Sequence, residues 1–156
     1  MMSQTAEYSL RAVVCLATHQ GRPLTIRQVA ELTRVPAGYL AKILGALHRA
    51  GMLAAQRGLN GGYTFNRNPA SITLLDVVQV ADPSHRIVTC PLGIPSHCEG
   101  RLCALHGRID AAAAAAEQAL AASTVADVLA DQAGSAPLCK DQHANSQTKV
   151  THTCTK

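Results

Sequence analysis

The sequence predicts a mainly α-helical fold that carries one small β-hairpin. Apolar residues recur at intervals of three and four along several stretches, which is typical of helices with one buried face. Two short apolar runs, 52–57 and 63–65, flank a glycine-rich segment, which is typical of two strands joined by a tight turn. An alanine-rich stretch at 111–116 favours a long helix near the C-terminus.

The first two helices are predicted from their apolar spacing and their end signals. Residues 5–19 place Leu10, Val13, Val14 and Ala17 on one face, and a glycine and a proline then end the helix. Thr25 and Gln28 have the spacing of a capping box, in which each side chain accepts a hydrogen bond from a main-chain N–H at a helix start. A short second helix is therefore predicted to begin after residue 25.

The third helix and the hairpin complete the N-terminal half. Residues 37–49 carry Leu40, Ile43, Leu44 and Leu47 on one face, and Gly51 is predicted to cap the helix in a left-handed conformation. A short helix, a turn, an apolar-faced helix and a glycine-tipped hairpin together describe a winged helix-turn-helix. The wing is expected at residues 52–65.

The C-terminal half is predicted to hold three more elements. A fourth helix begins at Ser71 or Thr73 and ends at Asp82–Pro83. A long helix from Cys103 presents small and apolar residues in one stripe, which suits close contact with a helix of a second subunit, and a short helix follows from residue 123. We therefore expect a DNA-binding domain at 1–82, a cysteine loop with a dimerisation helix at 83–133, and a disordered polar tail at 134–156.

Charge is distributed unevenly along the chain, whose formal net charge is +4. Between residues 20 and 70 all charged residues except Glu31 are basic, whereas acidic residues outnumber basic ones from 71 to 135. A basic segment of this kind, here called the basic front, favours a polyanionic partner such as duplex DNA. The basic residues of the front are Arg22, Arg27, Arg34, Lys42, Arg49, Arg57 and Arg67.

The candidate DNA-binding residues follow from the predicted fold. In a winged helix-turn-helix the second helix of the motif lies in the major groove, and the wing contacts the backbone or the minor groove. With its leucines facing the core, the third helix directs other side chains outward, and glycines allow close approach to phosphates. The candidates are Gly38, Tyr39 and Lys42 on the helix, and Arg57, Gly58, Asn60, Gly61 and Gly62 on the wing.

Three cysteines and one histidine form a candidate metal site. Cys90, Cys98, Cys103 and His106 lie in a stretch interrupted by prolines and glycines, which keep the backbone out of a regular helix and let distant side chains converge. Several thiolate or imidazole donors close together are what zinc or an iron-sulfur centre requires. A disulfide switch among the three thiols and unreactive cysteines are the other interpretations.

The sequence resembles the Rrf2 family of bacterial transcription regulators over residues 3–129. The resemblance lies in Tyr39–Leu40, the stretch 47–51, Arg57–Gly58 with 61–63, and the cysteine triad. It implies a homodimer in which each chain pairs a winged-helix domain with a long dimerisation helix. In many members it also implies an iron-sulfur cluster in the loop before that helix.

The resemblance further implies a ligand set. Cys103 and His106 look like the end of the IscR-type set, which favours a [2Fe-2S] centre held by three cysteines and one histidine. The intervals of seven and four residues between the cysteines depart from that pattern, so the cluster type and the fourth ligand stay open. In other members an acid near the N-terminus of the opposite subunit completes the site, and Glu7 stands at the matching position.

These observations predict a cytoplasmic transcription regulator that binds a roughly palindromic operator as a homodimer. Members of the family are most often repressors, so we expect a repressor. No signal peptide and no apolar run of about 18 residues is visible, so we expect no membrane association. Zinc, or no metal, is the alternative to the cluster. An enzyme with Cys103 as nucleophile and His106 as base leaves the basic half unexplained, and a pure protein-interaction module would show no salt-dependent affinity for DNA.

Overall fold

The structure, a computed structural model, describes residues 2–58, 61–83 and 102–131. Asn60, Cys90, Cys98 and the predicted tail lie outside the described residues. A mainly helical chain with one antiparallel hairpin is confirmed. In chain order the elements are α1 (Gln4–Thr18), α2 (Ile26–Thr33), α3 (Ala37–Arg49), β1 (Leu53–Gln56), β2 (Gly62–Phe65), a 3₁₀ turn (Pro69–Ser71), α4 (Leu74–Ala81), α5 (Ala104–Ala121) and α6 (Val125–Ala130).

Capping boxes start three of the helices. The box predicted at α2 is present, since the Gln28 N–H donates to Thr25 Oγ1 at 3.3 Å and the Thr25 N–H donates to Gln28 Oε1 at 2.9 Å. The same device starts α4, with Thr73 as the cap, and α6, with Thr124 as the cap. Of the two expected starts of the fourth helix, the structure therefore selects Thr73.

The cap of α6 has a consequence for its acid. Hydrogen bonds from the Thr124 main chain and hydroxyl lower the pKa of Asp127. Because the folded chain favours the ionised carboxylate, this group contributes stability above its unfolded pKa. The contribution is lost as the pH falls through the lowered folded value.

The hydrophobic core lies between α1, α3 and the elements that cover them. Cys15 belongs to this core, as its position in the amphipathic first helix predicts, and burial raises the pKa of its thiol to about 11. At neutral pH this thiol is protonated and is a poor nucleophile. The largest side chains that are fully buried in the core are Leu16, Leu40, Leu44, Leu47, Leu53 and Ile72.

The wing is a hairpin with a short third segment beside it. β1 and β2 pair antiparallel, with Leu53 opposite Phe65 and Gln56 opposite Gly62. Leu24 then pairs with Tyr63 on the other edge of β2 through N–H···O bonds of 3.0 and 2.8 Å. The wing is thereby tied to the segment that leads into α2.

α5 differs from every helix of the N-terminal half because none of its side chains is buried. Its 18 residues span about 27 Å. Leu105 is 65% exposed and Ile109 is 47% exposed. After α5 the chain returns to the core, where Val125 at the start of α6 is fully buried. No helix in the described segments is both long enough and apolar enough to cross a membrane.

Replacing Gly62 with alanine tests how closely the wing packs. A Cβ at this position would lie 2.5 Å from the Leu24 main chain, so Gly62→Ala should lower the free energy of unfolding by about 1–3 kcal/mol. Gly38→Ala is the control, because a Cβ at residue 38 meets nothing within 4 Å. Alanine is also the better helix former, so this control should gain up to about 1 kcal/mol. Urea denaturation measures both, and equal stability of Gly62→Ala and the wild type would contradict this packing.

Candidate nucleic-acid interface and candidate metal centre

The outer face of α3 is the first part of the candidate interface. Leu40, Leu44 and Leu47 are fully buried, and this burial fixes which side of α3 points away from the core. Gly38, Tyr39, Ala41 and Lys42 are all exposed on the opposite side of its N-terminal half. The structure therefore brings the three candidates predicted on this helix to one accessible surface.

The N-terminal end of α3 has no side-chain cap. Its N-cap residue is Pro36, whose side chain can accept no hydrogen bond, so the first-turn N–H groups lack the acceptor that caps α2 and α4. These groups carry the positive end of the helix dipole. Together with the exposed Gly38, this end of the helix can approach a phosphate group closely.

A backbone turn before α3 and a ring contact on its first turn fix the direction of this helix. Arg34, between α2 and α3, has a left-handed backbone with φ of 58°, which turns the chain sharply before the buried Val35. The ring of Tyr39 meets the ring of Tyr8 edge to face, with centroids 5.7 Å apart. Tyr39 nevertheless remains 49% exposed, so one side of its ring supports the helix while the rest is accessible.

The wing supplies the second part of the candidate interface. Arg57 and Gly58 are exposed where β1 ends. The Gly61 N–H donates to the Gly58 carbonyl at 2.9 Å, and a Cβ at residue 61 would overlap the main chain of residues 56–58. Gly61 and Gly62 are thus required by the wing itself, whatever they contact outside it. Asn60 lies outside the described residues.

Two cations of the candidate interface are available to a polyanion. Neither Lys42 nor Arg57 is paired with an acid among the described residues. The one acid of the basic region, Glu31, is held by Arg27 one helical turn away, with Nε and Oε1 3.2 Å apart. Positive charge at α3 and at the wing is therefore not neutralised by the described part of the chain.

Cys103 and His106 form the described part of the candidate metal centre. Cys103 is the N-cap of α5, and its Sγ lies 3.2 Å from Nδ1 of His106. A sulfur and a nitrogen bound to one tetrahedral metal at about 2.3 and 2.0 Å lie about 3.5 Å apart, so small adjustments suffice for both to bind one ion. The three-residue interval places both donors at the start of the helix, as the sequence predicts.

The other candidate ligands are not assembled with this pair. Cys90 and Cys98 lie outside the described residues, and within the described ranges no group of three or more His, Cys, Asp or Glu side chains converges. Glu7, the alternative fourth ligand, is ion-paired with Arg11 in α1. Arg11 also donates to the Thr33 carbonyl at 3.4 Å, so Glu7 belongs to a contact between α1 and the end of α2.

Sequence reasoning missed His48. Its Nδ1 lies 2.9 Å from the Leu53 carbonyl oxygen, and its ring lies edge to face with Tyr63 at 6.3 Å. His48 thereby connects the end of α3 to both strands of the wing. A polar side chain three residues before the Gly51 turn was the available signal.

A comparison with protein families decides which of the predicted classes applies. The family model for the Rrf2 group, described as iron-dependent transcriptional regulators, matches residues 2–131. This match includes the winged helix-turn-helix, α5 and α6. The chain belongs to the Rrf2 family.

Curated relatives of this Rrf2 chain carry the same type of description. A protein of Aquifex aeolicus named as an HTH-type transcriptional regulator is 26% identical over 98 residues, which are 63% of this chain and 67% of the relative. BadM of Rhodopseudomonas palustris, also named as an HTH-type regulator, is 39% identical over 69 residues, which are 44% of each chain. The family and these relatives are transcription regulators, so the enzyme interpretation is set aside.

Solved structures of regulators share the fold. IscR of T. potens has a TM-score of 0.67 and 25% identity, with 84% of this chain and 87% of that chain covered. CymR, the global cysteine regulator of B. subtilis, has a TM-score of 0.67 and 23% identity, with 82% of this chain and 95% of that chain covered. The second likeness shows the fold alone.

Replacing Lys42 or Arg57 with alanine tests the predicted reading surface. Each change should weaken operator binding by about 1–3 kcal/mol if the side chain contacts a base edge, and should weaken binding to all sequences similarly if it contacts phosphate. Fluorescence anisotropy with operator and random DNA separates the two outcomes.

Arg67→Ala is the matched control for charge. Arg67 is exposed beyond the inner end of β2, away from the wing tip, where its Nε donates to the Gly51 carbonyl at 3.0 Å. Its replacement removes the same charge and should leave discrimination between operator and random DNA unchanged. If Lys42→Ala and Arg57→Ala both bind DNA like the wild type, the assigned surface is wrong.

Proposed function

We propose that this Rrf2 chain is a homodimeric DNA-binding regulator, acting as a repressor in the cytoplasm, whose operator affinity depends on an iron-sulfur centre. The DNA-binding part of the proposal is carried by the exposed face of α3, where Gly38, Tyr39 and Lys42 stand beside an uncapped helix N-terminus. The sensing part is carried by Cys103 and His106, whose donor atoms lie 3.2 Å apart.

Recognition of duplex DNA assigns α3 to the major groove. Gly38 and the small Ala41 let the helix approach the base edges, and Lys42 then reaches a base or a phosphate. In this proposal Arg57, which is exposed at the end of β1, enters a neighbouring minor groove, and the main chain at Gly58 contacts the DNA backbone. Residues 1–82 form the DNA-binding domain of this proposal.

A homodimer accounts for the exposure of α5. A helix of this length without one buried side chain leaves its apolar stripe in water, and a second copy of the same stripe covers it in a two-fold arrangement. The small side chains of Ala113 and Ala116 let two such helices approach closely. Two reading heads related by a two-fold axis match a roughly palindromic operator. Residues 83–133 are the sensing and dimerisation part.

The donor set fits an iron-sulfur centre. Cys90, Cys98 and Cys103 supply thiolates and His106 supplies an imidazole nitrogen, which suits a [2Fe-2S] centre; Glu7 of the other subunit is the rival fourth ligand. When bound, such a centre supplies one-electron redox chemistry and reactivity toward oxygen or nitric oxide. Cys103, the N-cap of α5, and His106 in its first turn would hold this centre, so occupancy of the site would stabilise the start of the dimerisation helix.

Zinc in a Cys3His site, or a disulfide switch without metal, is the second candidate within the same fold. Cys103 is a free, partly exposed thiol among the described residues, and this accessibility also suits oxidation to a disulfide. Visible absorption distinguishes these candidates, because zinc and thiols are colourless.

Cysteine replacement tests the proposed ligands. After anaerobic reconstitution with iron and sulfide, the wild type should absorb visible light, and Cys90→Ala, Cys98→Ala and Cys103→Ala should each lose that absorption because an iron is left open to hydrolysis. His106→Ala should give a labile or shifted spectrum, since water can take the vacant position. Glu7→Ala should leave the spectrum unchanged if His106 is the fourth ligand.

Cys15→Ala is the control for this series, because Cys15 is buried in the core and outside the proposed ligand set. It should keep the absorption of the wild type even if it lowers stability. A wild type that stays colourless after reconstitution rejects the iron-sulfur assignment, whereas the DNA-binding assignment depends on other residues.

Charged residues on the α5 stripe test the dimer. Ala113→Glu with Ala116→Glu should convert the dimer to a monomer, because two carboxylates per chain would be introduced into the apolar stripe that the second copy is proposed to cover. Ala111→Glu with Ala115→Glu is the matched control, as helical periodicity places these exposed residues on the opposite side of α5. Sedimentation velocity measures the oligomeric state of both double variants. A wild type that is monomeric at micromolar concentration contradicts the dimer.

A further inference from the structure

The segment before α4 and the segment after α5 are joined by main-chain hydrogen bonds. The Leu74 N–H donates to the Ser123 carbonyl at 2.9 Å, and the Val125 N–H donates to the Ile72 carbonyl at 3.0 Å. Thr73 and Thr124 face each other as an antiparallel bridge. We call residues 72–74 and 123–125 the joint.

The joint is rigid for two local reasons. Ile72 is 1% exposed and Val125 is fully buried, so its outer residues are anchored in the core. Thr73 and Thr124 are both N-caps with complete capping boxes, which fix the backbone of each bridging residue in an extended conformation. Both segments of the joint, 72–74 and 123–125, are therefore held by hydrogen bonds and by packing.

The rest of α5 is held less tightly. None of its residues is buried, and a groove of about 460 Å³ lies between α5 and the elements α1 and α4. Ala6 and Val78 line one side of this groove, while Ala113 and Ala116 line the other. α4 contacts α5 beside this groove, and the joint adds main-chain hydrogen bonds just beyond the C-terminal end of α5.

We propose that the joint sets the half-site spacing that the dimer accepts, and that Leu74 is a positioning residue for this specificity through its N–H group. This inference rests on the proposed function, in which α5 carries the dimer contact and α3 reads the DNA. The angle between α5 and α3 in each subunit then fixes the distance and the rotation between the two reading helices.

DNA geometry makes such a joint selective. Inserting one base pair between half-sites moves them apart by about 3.4 Å and rotates one against the other by roughly 35°. A dimer with rigid joints cannot follow this rotation without losing contacts in one half-site. A dimer with loosened joints can follow it.

Leu74→Pro removes one hydrogen bond of the joint with little effect on α4. Leu74 is the first helical residue, a position that proline tolerates, and Thr73 at φ −78° and ψ 159° already has the extended conformation required before proline. The change deletes the N–H that donates to Ser123. Leu74→Ala is the matched control, because it shortens the side chain and keeps that N–H.

The test measures affinity for a series of operators whose spacers differ by one base pair, with circular dichroism to verify folding. Wild type and Leu74→Ala should lose about tenfold or more in affinity for each base pair away from the preferred spacer. Leu74→Pro should bind neighbouring spacers within about threefold of each other. A spacing profile for folded Leu74→Pro as sharp as that of the wild type would overturn the inference.

Two further outcomes are distinguishable. If Leu74→Pro does not fold at the assay temperature, Thr124→Ala takes its place, because it removes the cap of the joint and keeps both N–H donors; a profile as sharp as the wild type's again rejects the inference. If the wild type is monomeric or shows no preferred spacer, the proposed function itself fails, and the joint is then only a structural contact.

Discussion

Burial of the leucine face of α3 is the interaction on which the rest of the molecule depends. Leu40, Leu44 and Leu47 are fully removed from solvent, so the helix has one rotational setting about its axis. That setting leaves Gly38 and Lys42 outside. His48 and Tyr8 reinforce it at the two ends of the helix, through the Leu53 carbonyl and the Tyr39 ring. The burial of the leucines thus determines which residues of α3 form the candidate DNA-binding surface.

The candidate DNA-binding surface and the candidate metal centre lie in different parts of the described chain. Lys42 on α3 and Arg57 on the wing have no acidic partner among the described residues, whereas the candidate ligands Cys103 and His106 lie at the start of α5. α1 lies between these regions, since its Ala6 borders the groove beside α5 and its Arg11 contacts the end of α2. The joint at residues 72–74 and 123–125 is a second connection between α5 and the DNA-binding domain. The proposed metal centre at the start of α5 is therefore connected to α3 in two ways, through α1 and through the joint.

Much of the fold could be predicted because its signals are local. The apolar faces of α1 and α3, the Thr25–Gln28 capping box and the closing Gly51 each follow from residues within a few positions of one another. Pairings of single residues far apart in sequence could not be predicted, because they leave no periodic pattern: the Leu24 bridge to Tyr63 and the joint are of this kind. In the candidate site, the Cys103–His106 contact followed from helical spacing, whereas the convergence of Cys90 and Cys98 with that pair stays a prediction.

Selection of duplexes from a random-sequence pool tests the central claim, which is that the surface around α3 and the wing reads DNA as a two-fold pair. We expect enrichment of one inverted repeat with a fixed spacer. We also expect a plot of the logarithm of its affinity against the logarithm of salt concentration to have a slope of several units, because Lys42 and Arg57 displace counterions from phosphates. A pool that shows no enriched sequence after repeated rounds, with affinity independent of salt, would contradict the account.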